Sequence, residues 1–176
     1  NKKIQLLRLR EQGGSKKSDI IRSLILNKKS SFNKNTDLLL YLSARSENID
    51  LIKKNIGKKI ILIDRFIDST IAYQHYGMGV NLSLIKKINQ YLLKNIKVTF
   101  TFLNVVNSNN MKRRLKIRKN LNRYDKFDGV FYNRVQKGFL NILKKRPKKY
   151  MKIDSNKDIL ENKKKILKKI EELISK

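Results

Sequence analysis

Short apolar runs alternate along this chain with longer stretches of helical periodicity, and this alternation leaves few folds open. A run too short for a helix and bounded by polar residues reads as a strand. Strands separated by helices build a layered α/β domain around a parallel sheet. The strand-like runs are Ile4 to Leu9, Ile60 to Ile63, Val98 to Val105 and a short one around Met151 to Ile153. Helical patterns lie near Lys16 to Leu26, Thr36 to Asn55, Leu82 to Asn95, Ser108 to Arg118, Val130 to Lys145 and Lys157 to Ser175. Ile60-Ile61-Leu62-Ile63 is apolar at every position, as expected of a strand buried on both faces. In the last helix Leu160, Lys163, Leu167, Ile170 and Ile174 fall close to helical spacing. That stripe is expected to cover the sheet rather than to lie on a membrane. No repeat and no Pro-rich or Gly/Ser-rich linker divides the 176 residues, so a single domain over 1–176 is expected.

Composition removes several classes. With no Cys and a single His, His75, the chain has neither a disulfide framework nor a thiolate or imidazole cluster for a metal, which fits a reducing, cytoplasmic setting. No apolar run approaches the roughly 20 residues of a membrane span, and the start at Asn1 has no signal-peptide core, so no membrane association is expected. A net charge of +29 would ordinarily suggest nucleic acid. Here 32 of the 43 cations are Lys, and Lys, Asn and Ile together supply 73 residues spread over nearly every segment. That is a drift of composition, and no aromatic RNA-binding strand, zinc knuckle or recognition helix organises it, so no specific nucleic-acid partner is expected. Arginine is more informative, because its planar fork binds phosphate bidentately. Only 11 occur, and Arg113, Arg114, Arg118 and Arg123 fall within 11 residues, either as a solvated basic helix face or as an anion site.

In open α/β sheets ligands sit beyond the carboxyl ends of the strands, so the residues after each apolar run carry the chemistry. Arg10-Glu11-Gln12-Gly13-Gly14-Ser15 follows the first run and leads into a helix bearing Arg22; any strand-to-helix turn would also favour the glycines. Asp64-Arg65-Phe66-Ile67-Asp68-Ser69-Thr70-Ile71-Ala72-Tyr73-Gln74 follows the second. A carboxylate at a strand end is how nucleotide-binding folds hold Mg²⁺, and an adjacent arginine can clamp a phosphate; a helix cap beside a surface arginine is the plainer alternative. Tyr41 and Arg45 stand four apart on one helix, as a base-binding pair or as a core-edge tyrosine with a solvated arginine.

Taken in order, these segments resemble bacterial thymidylate kinase along essentially the whole chain. Arg10 to Ser15 is similar to that family's Arg-Glu-Pro-Gly-Gly-Thr loop, Arg22 to Leu26 to its Arg-Ser-Leu-Leu-Leu, and Tyr41 to Arg45 to its Phe-x-x-Ala-Arg. Its Asp-Arg-x-x-x-Ser-x-x-Ala-Tyr-Gln signature is matched without a gap from Asp64 to Gln74. Arg114, Arg118, Leu121 and Arg123 resemble its lid arginines and the Leu-x-Arg after them, and Ile153-Asp154-Ser155 its Ile-Asp-Ala. The chain departs at Gln12 (family Pro), Tyr41 (usually Phe), Asn104 (Asp) and Ile96-Lys97 (Pro-Asp); Gln12 and Lys97 are expected to alter turns.

The resemblance implies a three-layer P-loop kinase fold with a parallel sheet, a lid near 112–128, and phosphoryl transfer from ATP to dTMP with Mg²⁺, in a homodimer. By it Tyr41 stacks on thymine, Arg45 and Gln74 hydrogen-bond its edges, and Tyr73 crowds the sugar 2′ position. Arg22 and Arg65 hold the dTMP phosphate, with Glu11, Ser69 and Thr70 completing the acceptor pocket. Arg118, with Arg114 and Arg123, closes over the ATP phosphates, while Asp64 is the possible Mg²⁺ ligand; Asp64, Arg65 and Arg118 are the expected catalytic set. His75 is read as an ordinary loop residue. The alternatives are a kinase for another nucleotide or nucleoside on the same scaffold, and a non-catalytic basic homologue that binds RNA.

Nothing in the chain reads Gly-x-x-x-x-Gly-Lys-Ser/Thr, the loop that cradles ATP phosphates. The resemblance puts it after a first strand, in a segment of roughly 30 residues ahead of Asn1. That strand would be central, between the strands ending at Asp64 and near Asn104. Losing about five buried apolar side chains there forfeits on the order of 10 kcal/mol, against a whole-domain stability of about 5–15 kcal/mol. The 176 residues alone are therefore expected neither to fold stably nor to transfer phosphate.

Overall fold

The computed structural model describes residues 5–119 and 121–175, and these form two compact units. The first comprises residues up to 97 together with 121–139. It holds β1 (Leu6–Arg10), α1 (Lys16–Leu26), α2 (Lys34–Asn55), β2 (Ile60–Asp64), α3 (Ile67–Thr70), α4 (Leu82–Leu93) and the first part of α6 (Gly129–Lys145). The second, residues 98–120 and 140–176, holds β3 (Thr101–Val105), α5 (Ser108–Lys116), β4 (Tyr150–Asp154) and α7 (Ile159–Ile174). The expected strands and helices are all present with shifted ends, although Ile4 lies outside the described residues.

Helix starts follow short polar side chains that accept otherwise orphaned backbone N–H groups. Ser15 and Ser18 form a capping box on α1, Asn33 accepts from Asn35 and Thr36 at α2, and Asn81 accepts from Ser83 and Leu84 at α4. In the first unit β1 and β2 pair in parallel with Arg10 beside Asp64, so both strands end on the same edge. Leu9, Ile49, Ile52 and Leu93 form one buried cluster, against which Ile61 and Ile63 pack. Leu62 points to the opposite face and is 42% exposed, so β2 is covered on one face instead of the expected two. β2 also has a strand neighbour on one edge only among the described residues. A second cluster joins Ile25, Tyr41, Ala72, Tyr124, Phe131 and Val135.

One helical segment was not expected. Beyond α3 the backbone widens into a π-helix over Ile71–Gly77, so the signature stretch is a continuous helix carrying His75, not a loop. His75 Nδ1 lies 2.8 Å from the Val80 carbonyl oxygen. Gly77 is required there, because a Cβ would come within 2.6 Å of the Phe131 ring on α6.

In the second unit β3 and β4 pair in parallel, with Asn104 opposite Ile153 and exposed. Helix α7 turns Asn162, Ile166, Ile170 and Leu173 inward, with Asn162 Nδ2 donating to the Asp154 carbonyl at 2.8 Å. Leu160, Leu167 and Ile174 of the expected stripe are 65%, 45% and 44% exposed, so that stripe is displaced from the packed face. No helix among the described residues is long and apolar enough to cross a membrane.

Candidate active site

The parallel register of β1 and β2 brings the polar segments that follow them together. Arg10 Nε lies 3.6 Å from Asp64 Oδ2, and the Glu11 N–H donates to the Asp64 carbonyl at 2.9 Å. The Asp64 side chain is 68% exposed at this strand mouth. Arg65 takes φ of 64°, a left-handed conformation that costs a non-glycine residue about 1–3 kcal/mol and that persists where surrounding structure imposes it, often at functional sites. Its guanidinium carbon stands 5.0 Å from the centre of the Tyr73 ring.

Gly13 and Gly14 carry the loop back over α1 with φ of 140° and 103°. A Cβ on Gly13 would sit 2.6 Å from Asp19 Oδ1. The loop is held by Asn48 of α2, which donates to the Gly13 carbonyl at 2.8 Å and accepts from Ser18 Oγ at 3.1 Å. Arg22 donates to the Gln12 carbonyl at 3.0 Å and reaches the Gln12 side-chain oxygen at 3.5 Å, so Gln12 anchors this arginine as well as shaping a turn. Burial, and then the charges of Arg10 and Arg65, lower the Arg22 guanidinium below its ordinary value. Three arginines thus crowd one strand mouth, and an anion placed among them would relieve the repulsion.

Arg45 is fully buried and nearly saturated. Its Nε donates to Glu11 Oε1 at 2.6 Å, one Nη2 hydrogen to Glu11 Oε2, the other to Thr70 Oγ1 at 2.8 Å, and one Nη1 hydrogen to Asn89 Oδ1 of α4. A guanidinium has five N–H bonds, so one hydrogen on Nη1 remains. Most of the Arg45 fork therefore organises Glu11, Thr70 and Asn89, and the remaining Nη1 hydrogen is what it has left to offer a base edge. One turn beyond Thr70, Gln74 is also fully buried, and neither its amide nitrogen nor its carbonyl oxygen has a partner among the described residues. Buried polar groups are nearly always paired, so a carboxamide with open valences is a candidate contact for a ligand.

Tyr41 lies between these groups and Asp37. Its ring meets Tyr124 edge-on at 6.0 Å, and the Tyr124 hydroxyl donates to Asp37. Burial raises both phenols above their ordinary range, so they stay protonated. Tyr73 is half-buried, with Tyr124 and Phe131 edge-on at 6.0 and 6.1 Å, and Ser69 is half-buried beside Thr70. Arg123, expected among the lid arginines, lies in the first unit, where it donates to Asp37 and packs against Tyr124 and Phe32. A cleft of about 910 Å³ is lined by Phe32, Asp37, Arg123, Phe127, Phe131 and Arg134, while Arg22, Arg45, Arg65 and Gln74 lie outside its lining. Arg114 and Arg118 belong to the second unit, where Arg114 Nη2 donates to the Ser155 carbonyl at 2.6 Å. Asn48, Asn89, Asp37 and Tyr124 were absent from the sequence-based candidates.

A family model described as Thymidylate kinase matches residues 1–166, running through both units. The chain belongs to the thymidylate kinase family. Thymidylate kinase from Mycoplasma capricolum is 36% identical over 160 residues, 88% of this chain and 75% of the relative. The Exiguobacterium sibiricum enzyme of the same name is 34% identical over 158 residues, 88% of this chain and 74% of the relative. Among solved structures, thymidylate kinase from Ehrlichia chaffeensis is similar with a TM-score of 0.73 at 30% identity, covering 95% of this chain and 81% of that one. The three-layer P-loop kinase fold expected from the sequence is therefore the fold of this thymidylate kinase family member.

Within the thymidylate kinase framework, Tyr41 stands where the family usually has Phe, and it is buried against the Tyr124 ring. The Tyr41→Phe protein is expected to keep the aromatic face, lose only the hydroxyl and change in stability by less than about 1 kcal/mol. A urea titration checks this, with dTMP affinity unchanged.

Proposed function

We propose that this chain transfers the γ-phosphoryl group of ATP to dTMP, giving dTDP and ADP, with the acceptor held at the mouth of β1 and β2. The observation that carries this reading is Gln74. A buried carboxamide with open donors and an open acceptor, one turn from the Arg45–Thr70 pair, suits a pyrimidine edge that presents both kinds of group.

The residues then take distinct tasks. Tyr41 stacks on the base, while Gln74 and the remaining Arg45 N–H read its edge. Tyr73 closes the space beside the sugar 2′ position, and Glu11, Ser69 and Thr70 complete the pocket wall. Arg22 and Arg65 hold the acceptor phosphate. No general base is required, because the nucleophile is a phosphate oxygen already ionised at neutral pH; alignment and positive charge are what the protein supplies. Arg118, with Arg114 and Arg123, belongs to the lid near 112–128 that covers the ATP phosphates. Mg²⁺ normally keeps several waters and takes one or two protein carboxylates along with substrate phosphates, and the exposed Asp64 carboxylate fits that donor set. When bound, Mg²⁺ neutralises charge on the transferring phosphates. We place the enzyme in the cytoplasm as a homodimer, with neither membrane nor specific nucleic acid as partner.

Acceptor competition tests the reading on the full-length protein. With ATP in excess, dTMP is expected to be phosphorylated in preference to dUMP, dCMP and thymidine, as measured by ADP release. A preference for thymidine would make the chain a nucleoside kinase, and turnover of none of them would favour a non-catalytic role.

A further inference from the structure

Asn89 lies on α4, outside the segments that carry the family signature, yet it is only 4% exposed and its side chain ends on Arg45. Its Nδ2 donates to the Ile85 carbonyl at 2.8 Å within the same helix. That bond fixes the carboxamide: with nitrogen facing Ile85, the oxygen must face Arg45 Nη1. Glu11 fixes the opposite side of the guanidinium with two parallel bonds, and Thr70 takes the second Nη2 hydrogen. Three neighbours thus leave one hydrogen uncommitted, and Asn89 decides which of the two on Nη1 it is and where it points. Without Asn89, Nη1 would hold two unpartnered buried hydrogens, and the guanidinium could swing toward other acceptors.

We infer that Asn89 is a positioning residue for base selection: it aims the last free N–H of Arg45 at a carbonyl oxygen on the pyrimidine. This rests on the dTMP kinase reading and deepens it. A base with a carbonyl at that edge accepts the hydrogen, whereas one with an amino group, such as cytosine, opposes it with another donor. The residue acts through Arg45 and does not itself touch the substrate.

The test compares kcat and KM for dTMP and dCMP in the full-length enzyme and in Asn89→Leu and Asn89→Asp. Asn89→Leu is expected to raise the dTMP KM about tenfold with kcat within about twofold, leaving dCMP kinetics unchanged, so that base preference shrinks about tenfold. Asn89→Asp restores an acceptor to Nη1 and is expected to recover the preference even though its bond to Ile85 is lost. An active Asn89→Leu enzyme with the preference of the unmodified protein overturns the inference, as does an Asn89→Asp enzyme no more selective than Asn89→Leu. Should Asn89→Leu fail to fold, the unmodified protein decides by NMR: dTMP is expected to shift one Arg45 Nη1 proton while dCMP leaves it unmoved, and equal responses overturn the proposal. Turnover of dTMP by the unmodified enzyme reports on the kinase reading separately; its absence would overturn both.

Discussion

Replacing Arg65 by alanine is expected to abolish measurable turnover and to weaken dTMP binding by about a hundredfold, the scale of losing a charge-assisted clamp on a phosphate. The same variant should melt close to the parent temperature or slightly above it. Arg65 is an exposed side chain in the first unit, held in a left-handed backbone that alanine tolerates no worse. Calorimetric titration with dTMP and thymidine separates the terms: the loss should be confined to the ligand that carries the phosphate. Equal weakening of both would remove Arg65 from the phosphate and assign it to the base or sugar.

The second large effect is on stability. Arg45→Met leaves the Glu11 carboxylate, itself 4% exposed, without a cation and leaves Thr70 and Asn89 facing a thioether. Removing one partner of a buried ion pair typically costs about 3–5 kcal/mol, because the other charge stays desolvated. Pairing the change with Glu11→Gln should recover part of that loss, since the stranded charge is then gone. Denaturant titration of the two single variants and the double variant measures the coupling. A loss under about 1 kcal/mol for Arg45→Met, the range of an exposed pair, would mean that the pair is hydrated in solution.

These two arginines show how far the sequence could be read. Both lie in segments matched to the family, and both were placed in the acceptor pocket. Arg65 stands at the strand mouth where a strand-then-loop reading puts it. Nothing local distinguishes Arg45 from a solvated arginine, because its partners Glu11, Thr70 and Asn89 lie 34, 25 and 44 residues away. Asn48 and Asp37 escaped notice for the same reason: on paper each is an ordinary polar helix residue, and the bonds to Gly13 and Arg123 span 35 and 86 positions.

Local signals fared better. The helical pattern near Lys16 to Leu26 is found as α1, whose start Ser15 caps from within one turn. The helix over residues 67–77 was missed because β-branched Thr70 and Ile71 weaken its helical signal, and a π-helix has no sequence period of its own. Ile60 to Ile63 promised burial on both faces from composition alone. Leu62 shows that an apolar residue is covered only where another element reaches that face, which is a property of topology.

We propose that the buried Gln74 carboxamide, without a partner among the described residues, and the arginines at the β1–β2 mouth are two ends of one dTMP site. A crystal structure of the full-length protein with dTMP tests it most directly. The pyrimidine edge is expected within hydrogen-bond distance of Gln74 Nε2 and Oε1, and the phosphate within reach of Arg22 and Arg65. A dTMP molecule bound elsewhere, with Gln74 paired to the protein itself, would contradict it.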